Sequence, residues 1–350
     1  MADDGEFARL TDPYRSELLV HCYRMLGSLD EAEDHVQEVY LRAWRSFDRF
    51  EGRASLRTWL HRIATNVCLT GLGARRRRPL PSGLGAPDSD PEGPVGPARP
   101  EIEWLQPLPG PWADAAGRGD PAAVVASRAG VRLALIAALQ HLPARQRAVL
   151  ILRDVLGWRA AEVAETLGTS TVAVKSMLQR AREQIERLAP EEDGVAEPDD
   201  PGVRALLDQY AAAFENADAA ALADLLTRDA TLEMPPFAAW FAGRDHVARF
   251  AAAHILRAPG DLRLFPVSAN GRPAAASYMR DPDGVHRAHC VQVLTVADGG
   301  VAGIVAFLDP SLFPRFGLPT ELPAEPPTEP PSGAATGGPV PSGSAAVCTR

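Results

Sequence analysis

Two stretches rich in proline and glycine divide the chain into three blocks that can fold. Residues 79–121 contain eleven Pro and seven Gly, and residues 318–350 contain eight Pro and four Gly. Proline removes a backbone donor and glycine is costly to order, so such stretches seldom form packed elements. We therefore predict an extended linker at 79–121, a disordered tail at 318–350, and folded blocks at about 6–78, 122–189 and 202–317.

Length and residue types narrow the class of protein. The chain has 350 residues, which is enough for two or three domains. No apolar run approaches the roughly 18–20 residues that a bilayer-spanning helix needs, and the acidic N-terminal residues lack the layout of a secretion signal. The four cysteines are far apart, with no CxxC pair and no cluster at metal spacing. We expect a cytoplasmic protein without a disulfide framework, metal site or cofactor.

The net charge of −9 conceals an uneven distribution along the chain. Residues 1–80 carry +1 and residues 126–190 carry +5, whereas residues 81–125 carry −5 and residues 191–350 carry −10. Between residues 53 and 80 there are seven Arg and no acidic residue. Clustered cations are the electrostatic signature of phosphate binding, although runs of charge are also typical of solvated surface. The pattern favours a nucleic-acid-binding protein.

The first block has the apolar spacing of helices. Apolar residues recur every three or four positions in three of its segments, which predicts an all-α bundle. Asp30 is predicted to cap the second of these helices and Ser55 the third. Trp44 and Trp59 lie on the apolar stripes, so we expect both to pack in the core rather than to stack on bases.

The second block is also helical, and its last part has the layout of a helix-turn-helix. One helix ends near Leu167, Gly168 supplies a tight turn, and Ser170 or Thr171 caps the next helix. The side of that helix opposite its apolar stripe is small and polar, which suits entry into a major groove. The alternative is a helix pair that packs on protein, but the turn spacing and the local charge of +5 favour DNA.

The third block changes from helices to strands. Helical stripes at 203–216 and 219–226 precede a short β segment at 231–234, and another helix is predicted from 245 to about 256. Three turn signals then separate β-rich runs: Asn270-Gly271, Asp281 to Gly284 and Asp298 to Gly300. Helices followed by antiparallel hairpins predict an α+β domain.

The first two blocks resemble a known family. The strings DEAEDHVQEVYLRAWRSF and FEGRASLRTWLHRIATN, at about 6–78, are similar to the second conserved region of bacterial extracytoplasmic-function (ECF) sigma factors of the sigma-70 family. The strings ALQHLPARQRAVLILRDVLGW and AAEVAETLGTSTVAVKSMLQRARE, at about 132–188, resemble their fourth conserved region. The resemblance implies two all-α sigma domains that bind core RNA polymerase and promoter DNA, with no membrane partner.

The resemblance also implies roles for residues at matching positions. Residues that dock on the β′ clamp helices of the polymerase would be Asp34, Gln37, Glu38 and Arg42. Residues that read and hold the −10 element would be Arg53, Ser55, Arg57, His61, Arg62 and Asn66. The resemblance further implies that the second domain meets the β flap of the polymerase. Its residues that read the −35 element would be Thr171, Ala173, Lys175, Ser176, Gln179, Arg180 and Arg182. The run Arg75 to Arg78 could hold upstream phosphates or could form a flexible basic stub.

The linker and the third block extend the resemblance. The apolar patch Trp104-Leu-Gln-Pro107 is similar to a linker motif of ECF sigma factors that carry C-terminal extensions. It implies a docking contact with the third domain, and the alternative is an isolated exposed tryptophan. The third block resembles the SnoaL-like, cone-shaped α+β fold appended to some ECF sigma factors, through its layout and through Phe307-Leu-Asp-Pro310 and Phe316-Gly-Leu-Pro319.

A cone fold also serves polyketide cyclases and isomerases, which need a carboxylate base or an acid–carboxylate pair in an apolar pocket. The polar candidates for such a pocket are His254, His289, Gln292 and Asp309. The apolar candidates are Met234, Phe237, Trp240 and Phe241. No pair has diagnostic spacing, so we favour regulation or the sensing of a small-molecule ligand over catalysis.

The sequence therefore predicts a multidomain, non-catalytic protein: two all-α sigma domains, the second with a helix-turn-helix, and a C-terminal cone-shaped SnoaL-like domain. Its predicted function is that of an alternative sigma factor, which directs core RNA polymerase to −35 and −10 elements and assists promoter opening. We expect the acidic C-terminal domain to regulate this activity by screening the basic DNA-facing surfaces. Two alternatives stay open: a ligand-responsive helix-turn-helix regulator that works without polymerase, and a cone-fold enzyme fused to a DNA-binding module.

Overall fold

The computed structural model describes residues 4–73, 77–117, 121–188, 198 and 200–323. We name its four units by these ranges: the first helical domain (4–73), the linker (77–117), the second helical domain (121–188) and the cone domain (200–323). The two helical domains and the outer face of the cone domain share one continuous buried core, whereas the interior of the cone domain forms a second one.

The first helical domain is a bundle, as the apolar spacing predicts. Its helices are α1 (Asp4–Thr11), α2 (Arg15–Leu26), α3 (Leu29–Ser46) and α4 (Leu56–Leu72). Ser28 caps α3, because its Oγ accepts the N–H of Glu31 at 3.3 Å. Asp30 therefore lies inside the first turn, where a carboxylate interacts favourably with the helix dipole, and not at the cap as predicted. Ser55 does cap α4, by accepting the N–H of Thr58 at 3.1 Å.

The two tryptophans of this domain have different environments. Trp59 packs against Phe50, with 4.9 Å between ring centroids, as predicted for a core residue. Trp44 is 44% exposed, so the prediction that it packs in the core is wrong. The buried stripe of α3 passes through Val39 and Ala43, and the next position points away from the bundle.

The second helical domain contains the predicted helix-turn-helix. The linker contributes a short helix, α5 (Gly110–Ala116), and the domain adds α6 (Pro121–Ala129), α7 (Leu133–Leu139), α8 (Ala144–Leu150), α9 (Ala160–Leu167) and α10 (Thr171–Leu188). Gly168 adopts a φ of 58°, a left-handed conformation that glycine takes at little cost, and so allows the tight turn between α9 and α10. Ser170 caps α10, since its Oγ accepts the N–H of Ala173 at 3.1 Å.

The cone domain wraps three helices around one face of a six-stranded sheet. Its elements are α11 (Pro201–Glu215), α12 (Ala219–Leu225), β1 (Leu226–Glu233), β2 (Trp240–Ala242), α13 (Arg244–Phe250), β3 (Leu262–Ala269), β4 (Arg272–Arg280), β5 (His286–Ala297) and β6 (Gly300–Phe307). The strand order is β2-β1-β6-β5-β4-β3, with β1 and β6 parallel and the other neighbours antiparallel. The three predicted turns connect β3 to β4, β4 to β5 and β5 to β6, which confirms the α+β prediction.

Both faces of this sheet are buried, against different parts of the protein. Along β5, Cys290, Gln292 and Leu294 point into the cone, as alternation along a strand requires. Val291 and Val293, between them, belong to the core shared with the helical domains. The sheet is therefore the wall between the interior of the cone and the sigma-like part of the chain.

The linker packs along the cone domain and is not a free extended chain. The backbone N–H groups of Asp88 and Arg99 donate to the carbonyls of Trp240 and Pro236, at 2.7 and 2.8 Å. This differs from the prediction because a proline-rich chain keeps the amides between its prolines, and those amides can pair with an open strand edge such as β2.

The apolar patch of the linker docks as the resemblance implied. Leu105 is 1% exposed, and Trp104 is half-buried with its Nε1 donating to the carbonyl of Arg99 at 3.0 Å. The patch lines a cleft of about 250 Å³ together with Pro236 and Leu308 of the cone domain.

The predicted tail begins with ordered residues. The N–H of Ala288 on β5 donates to the carbonyl of Thr320 at 2.8 Å, and the N–H of Leu322 donates to the carbonyl of His286 at 2.9 Å. Residues 320–322 thus pair with β5, whereas the part of the predicted tail after residue 323 lies outside the described residues.

No single helix in the described part of the chain is long and apolar enough to cross a membrane. One pair of short helices, α6 and α7, passes that test of length and composition only when the two are taken together across a bend of 56°.

Candidate functional site

The predicted polymerase-binding residues lie on one side of α3. Asp34, Gln37 and Arg42 are exposed, and Glu38 is half-buried. Arg42 Nε donates to Glu38 Oε1 at 2.6 Å, one helical turn away. Leu41 lies between them and is 50% exposed. The structure therefore brings the four residues together on a surface of mixed charge with an apolar centre, which suits docking on another protein.

The predicted −10 residues lie at the start of α4 and in the loop before it. Arg53 and Asn66 are exposed, whereas the hydroxyl of Ser55 is occupied as the cap of α4. Arg57 Nε donates to Glu17 Oε2 at 2.5 Å, so its charge is partly neutralised inside the domain. Arg53 pairs with Glu51 at 2.6 Å in the exposed loop, so a nucleic-acid strand along this edge would meet Asn66 directly and compete with that carboxylate for Arg53.

His61 is the clear exception among these residues, because it is 1% exposed. Its Nδ1 lies 2.9 Å from the carbonyl oxygen of Arg57, and its ring meets the ring of His21 edge-on with 5.3 Å between centroids. Burial lowers the pKa of His61 to about 4 and lowers the pKa of His21 well below its usual value. This placement corrects the predicted DNA contact: His61 faces α2 and forms a neutral buried pair.

Arg62 connects the two helical domains. Its Nη1 and Nη2 donate to the two carboxylate oxygens of Glu165 at 2.9 and 3.0 Å. Glu165 lies on α9, the first helix of the helix-turn-helix. A residue predicted to hold the −10 element is therefore engaged by the domain predicted to read the −35 element, and the pair must separate before Arg62 can bind a phosphate.

The predicted −35 residues lie on α10, and most of them are accessible. Ala173 is half-buried, and the exposed ones are Thr171, Lys175, Ser176, Gln179, Arg180 and Arg182. Gln179 Nε2 donates to Glu183 at 3.1 Å, and Arg182 pairs with Asp154 at 2.6 Å. Val172, in the first turn, is 72% exposed and was not predicted. An exposed apolar residue at that position can contact the methyl group of a thymine.

The structure describes two residues of the basic run Arg75 to Arg78, because the first two lie outside the described part of the chain. Arg77 Nη1 lies 3.0 Å from Nδ1 of His141, in the second helical domain. Arg78 pairs with Glu31 at 2.9 Å and is mostly buried. Arg77 is therefore exposed but hydrogen-bonded and Arg78 is packed, which does not fit the alternative of a flexible stub.

Asn270 joins all four units of the chain. It is fully buried at the turn between β3 and β4, with a φ of 53°. Its Oδ1 accepts the N–H of Leu108 in the linker at 2.9 Å. Its Nδ2 donates to the hydroxyl of Tyr23 in α2 at 2.8 Å and to the carbonyl of Val131 in the second helical domain at 2.7 Å.

Two arginines add further contacts between domains. Arg147 of α8 donates to the carbonyl of Met25 at the end of α2, where a helix dipole favours a cation. Arg315, in the last turn of the cone domain, pairs with Glu33 and, at 3.1 Å, with Asp30. The second contact lies beside the predicted polymerase-binding side of α3.

The cone domain encloses a cavity of about 270 Å³ between its sheet and its helices. Five of the predicted pocket residues line it: Met234, Phe237, His254, His289 and Gln292. Most of the remaining wall is apolar, and no Asp or Glu contributes to it as far as the structure describes the chain. Val95 of the linker also lines this cavity.

Three predicted pocket residues lie elsewhere. Trp240 turns to the linker, where its Nε1 donates to the carbonyl of Gly85 at 2.9 Å. Asp309 accepts the N–H and the hydroxyl of Ser311, at 3.0 and 2.6 Å, and so caps the last helical turn. Phe241 is buried in the core of the cone beside the cavity. The carboxylate that acid–base chemistry would need is thus absent from the described wall of the cavity.

Burial favours the uncharged form of three titratable groups on the cavity wall, whereas Arg257, on the same wall, is exposed. Tyr210 donates its hydroxyl to Gln292 Oε1 at 2.6 Å, and burial raises the pKa of that hydroxyl well above its usual value. Burial, with a contribution from the nearby charge of Arg257, lowers the pKa of His289. Burial raises the pKa of the Cys290 thiol to about 11. At neutral pH the deep part of the cavity therefore offers neutral hydrogen-bonding groups.

The residues that join the domains could not be identified from the sequence. Glu165 and Arg315 are ordinary surface charges there, and Asn270 is predicted only as part of a turn. Leu41 and Val172 did carry a signal, because each is an apolar residue on the polar side of an amphipathic helix, which is typical of a contact surface.

Comparisons with known proteins match all three folded blocks. The family model described as Sigma-70 region 2 matches residues 10–78, and the model described as Sigma-70, region 4 matches residues 132–185. The model described as SnoaL-like domain matches residues 207–304.

Individual relatives match across most of the chain. The ECF RNA polymerase sigma factor SigG of Mycobacterium tuberculosis is 53% identical over 320 residues, which are 91% of this chain and 85% of the relative. SigJ, an ECF RNA polymerase sigma factor of the same organism, is 29% identical over 315 residues, which are 85% of this chain and 90% of the relative. The crystal structure of SigJ superposes with a TM-score of 0.55 and 25% identity, and the match covers 91% of this chain and all of that one. The chain therefore belongs to the ECF sigma factors of the sigma-70 family and carries a SnoaL-like domain after its two sigma domains.

Proposed function

We propose that the exposed side of α3 docks on the β′ clamp helices of core RNA polymerase and that the second helical domain meets the β flap. Asp34 and Glu38 supply acidic groups for a basic partner, and Leu41 supplies an apolar anchor between Glu38 and Arg42. Because its partners are the polymerase and the chromosome, we infer that the protein works in the cytoplasm.

On the promoter, α10 reads the −35 element and the edge formed by the loop and α4 holds the −10 element. The first turn of α10, with Val172 and Lys175, is free to enter a major groove. The −10 edge supplies Asn66 directly, Arg53 from its exposed pair with Glu51, and Arg62 after its pair with Glu165 separates.

The compact arrangement supports regulation by the cone domain. The carrying observation is that Asn270 holds the first helical domain, the linker and the second helical domain with one side chain. Polymerase and promoter elements must engage both sigma domains at separate places, whereas here Arg62 and Glu165 hold the domains together. We assign the compact arrangement to a closed state that opens before or during polymerase binding.

The cone domain is a regulatory rather than a catalytic module in this proposal. Its cavity has the apolar wall of a ligand site, but its described wall lacks the carboxylate that a cone-fold isomerase or cyclase uses. An enzyme fused to a DNA-binding module is therefore the weaker function for this chain.

Capture of purified core polymerase by the immobilised full-length chain tests the polymerase contact. Asp34→Lys places a cation where the partner surface is proposed to be basic, and we expect capture and run-off transcription to fall at least tenfold. Glu6→Lys is the matched control, since Glu6 is an exposed carboxylate on α1 of the same domain. Equal losses for the two variants, or no loss for Asp34→Lys, would refute the proposed surface.

A further inference from the structure

The cavity in the cone domain has polar atoms that the protein itself leaves poorly satisfied. Ser277 is 1% exposed, and within the described residues its Oγ has only the weak thiol of Cys290 beside it. Gln292 Nε2 has the same sulfur as its partner, at 3.6 Å. His254 Nε2 is buried without a hydrogen-bond partner in the described part of the chain. Buried polar groups in this condition cost stability unless a water or a ligand bonds them.

The hydrogen-bonding potential and the size of the cavity define a chemical class of occupant. The hydroxyl of Ser277 and the amide of Gln292 can both donate, so they suit an oxygen acceptor. The rest of the wall is mostly apolar apart from Arg257, which is exposed, so a charged group deep in the cavity would lose its hydration without a buried counter-charge. A volume of about 270 Å³ holds about ten non-hydrogen atoms, given the about 30 Å³ that one water occupies in the liquid.

The linker closes one side of this cavity. Val95 lines it, and the segment around Val95 is held on the cone domain at both ends, by the N–H of Asp88 on Trp240 and the N–H of Arg99 on Pro236. An ion pair between Glu92 of the linker and Arg249 of the cone domain, at 2.9 Å, adds a contact between these two units. An occupant of the cavity would therefore touch the chain that connects the two sigma domains.

The opposite wall of the cavity is also shared with the sigma domains. Cys290 and Gln292 face the cavity from β5, and their neighbours Val291 and Val293 pack in the core of the helical domains. An occupant is thus placed between two elements, the linker and β5, whose positions set how the sigma domains pack.

We propose that the cavity binds an uncharged, mainly apolar small molecule of about ten non-hydrogen atoms that carries one oxygen acceptor, and that the bound molecule holds the linker on the cone domain. Contact with Val95 then favours the closed arrangement of the sigma domains. This last step rests on the proposed function, whereas binding and its effect on the linker do not.

The binding experiment uses nonan-2-one as the probe and the full-length protein without polymerase. Isothermal titration is expected to show saturable binding of one molecule per chain. Nonanoate, which has a similar apolar chain and a carboxylate, is expected to bind at least tenfold more weakly. Tighter binding of nonanoate would overturn the proposed ligand class, and binding of neither probe would mean that the cavity holds water only.

Two neighbouring alanines give a matched pair of variants. Ala251 lines the cavity, whereas Ala252 is exposed on the same helical segment. Ala251→Leu is expected to weaken binding of nonan-2-one at least tenfold, and Ala252→Leu to leave it within twofold. Ala306→Leu on the sheet side repeats the test in case the first variant folds poorly. Equal binding by the variants and the parent would place the probe outside the cavity and overturn the proposal.

Amide hydrogen exchange reports on the linker directly. With saturating nonan-2-one we expect exchange at the Asp88 and Arg99 amides to slow severalfold, and the Ala252→Leu variant to behave like the parent. Binding that leaves both amides unchanged, or that speeds their exchange, would overturn the proposed hold on the linker. These measurements contain no polymerase, so their failure is distinct from a failure of the proposed polymerase contact.

Discussion

Replacement of Asn270 by alanine is expected to release the cone domain from the sigma domains. The side chain is fully buried and makes three hydrogen bonds of 2.7 to 2.9 Å, to Leu108, Tyr23 and Val131. Alanine makes none of them.

The size of the effect follows from the groups left without partners. The Tyr23 hydroxyl keeps a partner, because it donates to the carbonyl of Gln106 at 2.7 Å, so the N–H of Leu108 and the carbonyl of Val131 are the two groups left unpaired. A buried donor or acceptor without a partner costs about 1–3 kcal/mol, so the two predict a loss of about 2–6 kcal/mol. The φ of 53° adds about 1 kcal/mol, because asparagine tolerates the left-handed region better than alanine does. Even about 3 kcal/mol corresponds to more than a hundredfold change in the ratio of docked to undocked cone domain.

The assay follows the backbone amide of Gln106 in the linker, which donates to the carbonyl of Gly27 at 3.0 Å. The carbonyl of the same residue accepts the hydroxyl of Tyr23, which is one of the partners of Asn270. Exchange of the Gln106 amide is expected to become at least a hundredfold faster in Asn270→Ala, and capture of core polymerase is expected to increase. Asn270→Gly separates backbone strain from the lost bonds, because glycine adopts the same φ freely. Asn216→Ala, at an exposed asparagine of the cone domain, is the matched control. An Asn270→Ala protein that folds normally, with exchange and polymerase capture within twofold of the parent, would refute the reasoning.

Three further variants test other parts of the structure. Glu165→Gln removes the charge that holds Arg62 and leaves the predicted −10 residues in place. Since an exposed ion pair is worth at most about 1 kcal/mol, the affinity for promoter DNA should rise by up to about fivefold. Glu186→Gln, at an exposed glutamate of the same domain, should leave this affinity unchanged. His61 has a folded-state pKa near 4, below the usual 6.5, so the unfolded chain binds more protons and stability falls as the pH drops from about 6.5 towards 4. His61→Phe should reduce the slope of unfolding free energy against pH by up to about 1.4 kcal/mol per unit, most strongly midway between the two pKa values, in denaturant melts from pH 7 to pH 4.5. Lys175→Ala should weaken promoter binding and lower the slope of log affinity against log salt by about 0.9, and an unchanged slope would mean that Lys175 contacts no phosphate.

The helices and most of their caps could be predicted from the sequence, because they depend on residues that are close together along the chain. Apolar residues at helical spacing define α3, α4 and α10. The hydroxyl of Ser55 caps the start of α4, and Gly168 ends α9 because it has no side chain to oppose a positive φ. Asp30 shows the limit of such reasoning. It lies two residues from Ser28, and a choice between two good capping residues depends on where the chain enters the helix.

The contacts between domains could not be predicted, because they depend on residues that are distant in sequence. Asn270 has its three partners 139 to 247 residues away. His61 has the chemistry of a nucleic-acid contact, and only the packing of α4 on α2 shows that it is buried. The prediction of a free, extended linker is wrong for a related reason. The composition of the linker indicates that ordering it is costly, but it does not reveal the strand edge whose hydrogen bonds offset this cost.

Two ion pairs between domains differ from the expectation that an acidic cone domain screens basic surfaces of the sigma domains. The basic Arg62 is neutralised by Glu165 of the other sigma domain, and the cone domain contributes a cation, Arg315, against the acidic start of α3 at Asp30. Both pairs are partly exposed and so are weakened by salt, whereas the bonds of Asn270 are buried and are not. Raising the ionic strength from about 0.05 to 0.5 M should therefore leave the Gln106 amide protected in the parent protein. If salt alone released that amide, the exposed ion pairs and not Asn270 would hold the closed state.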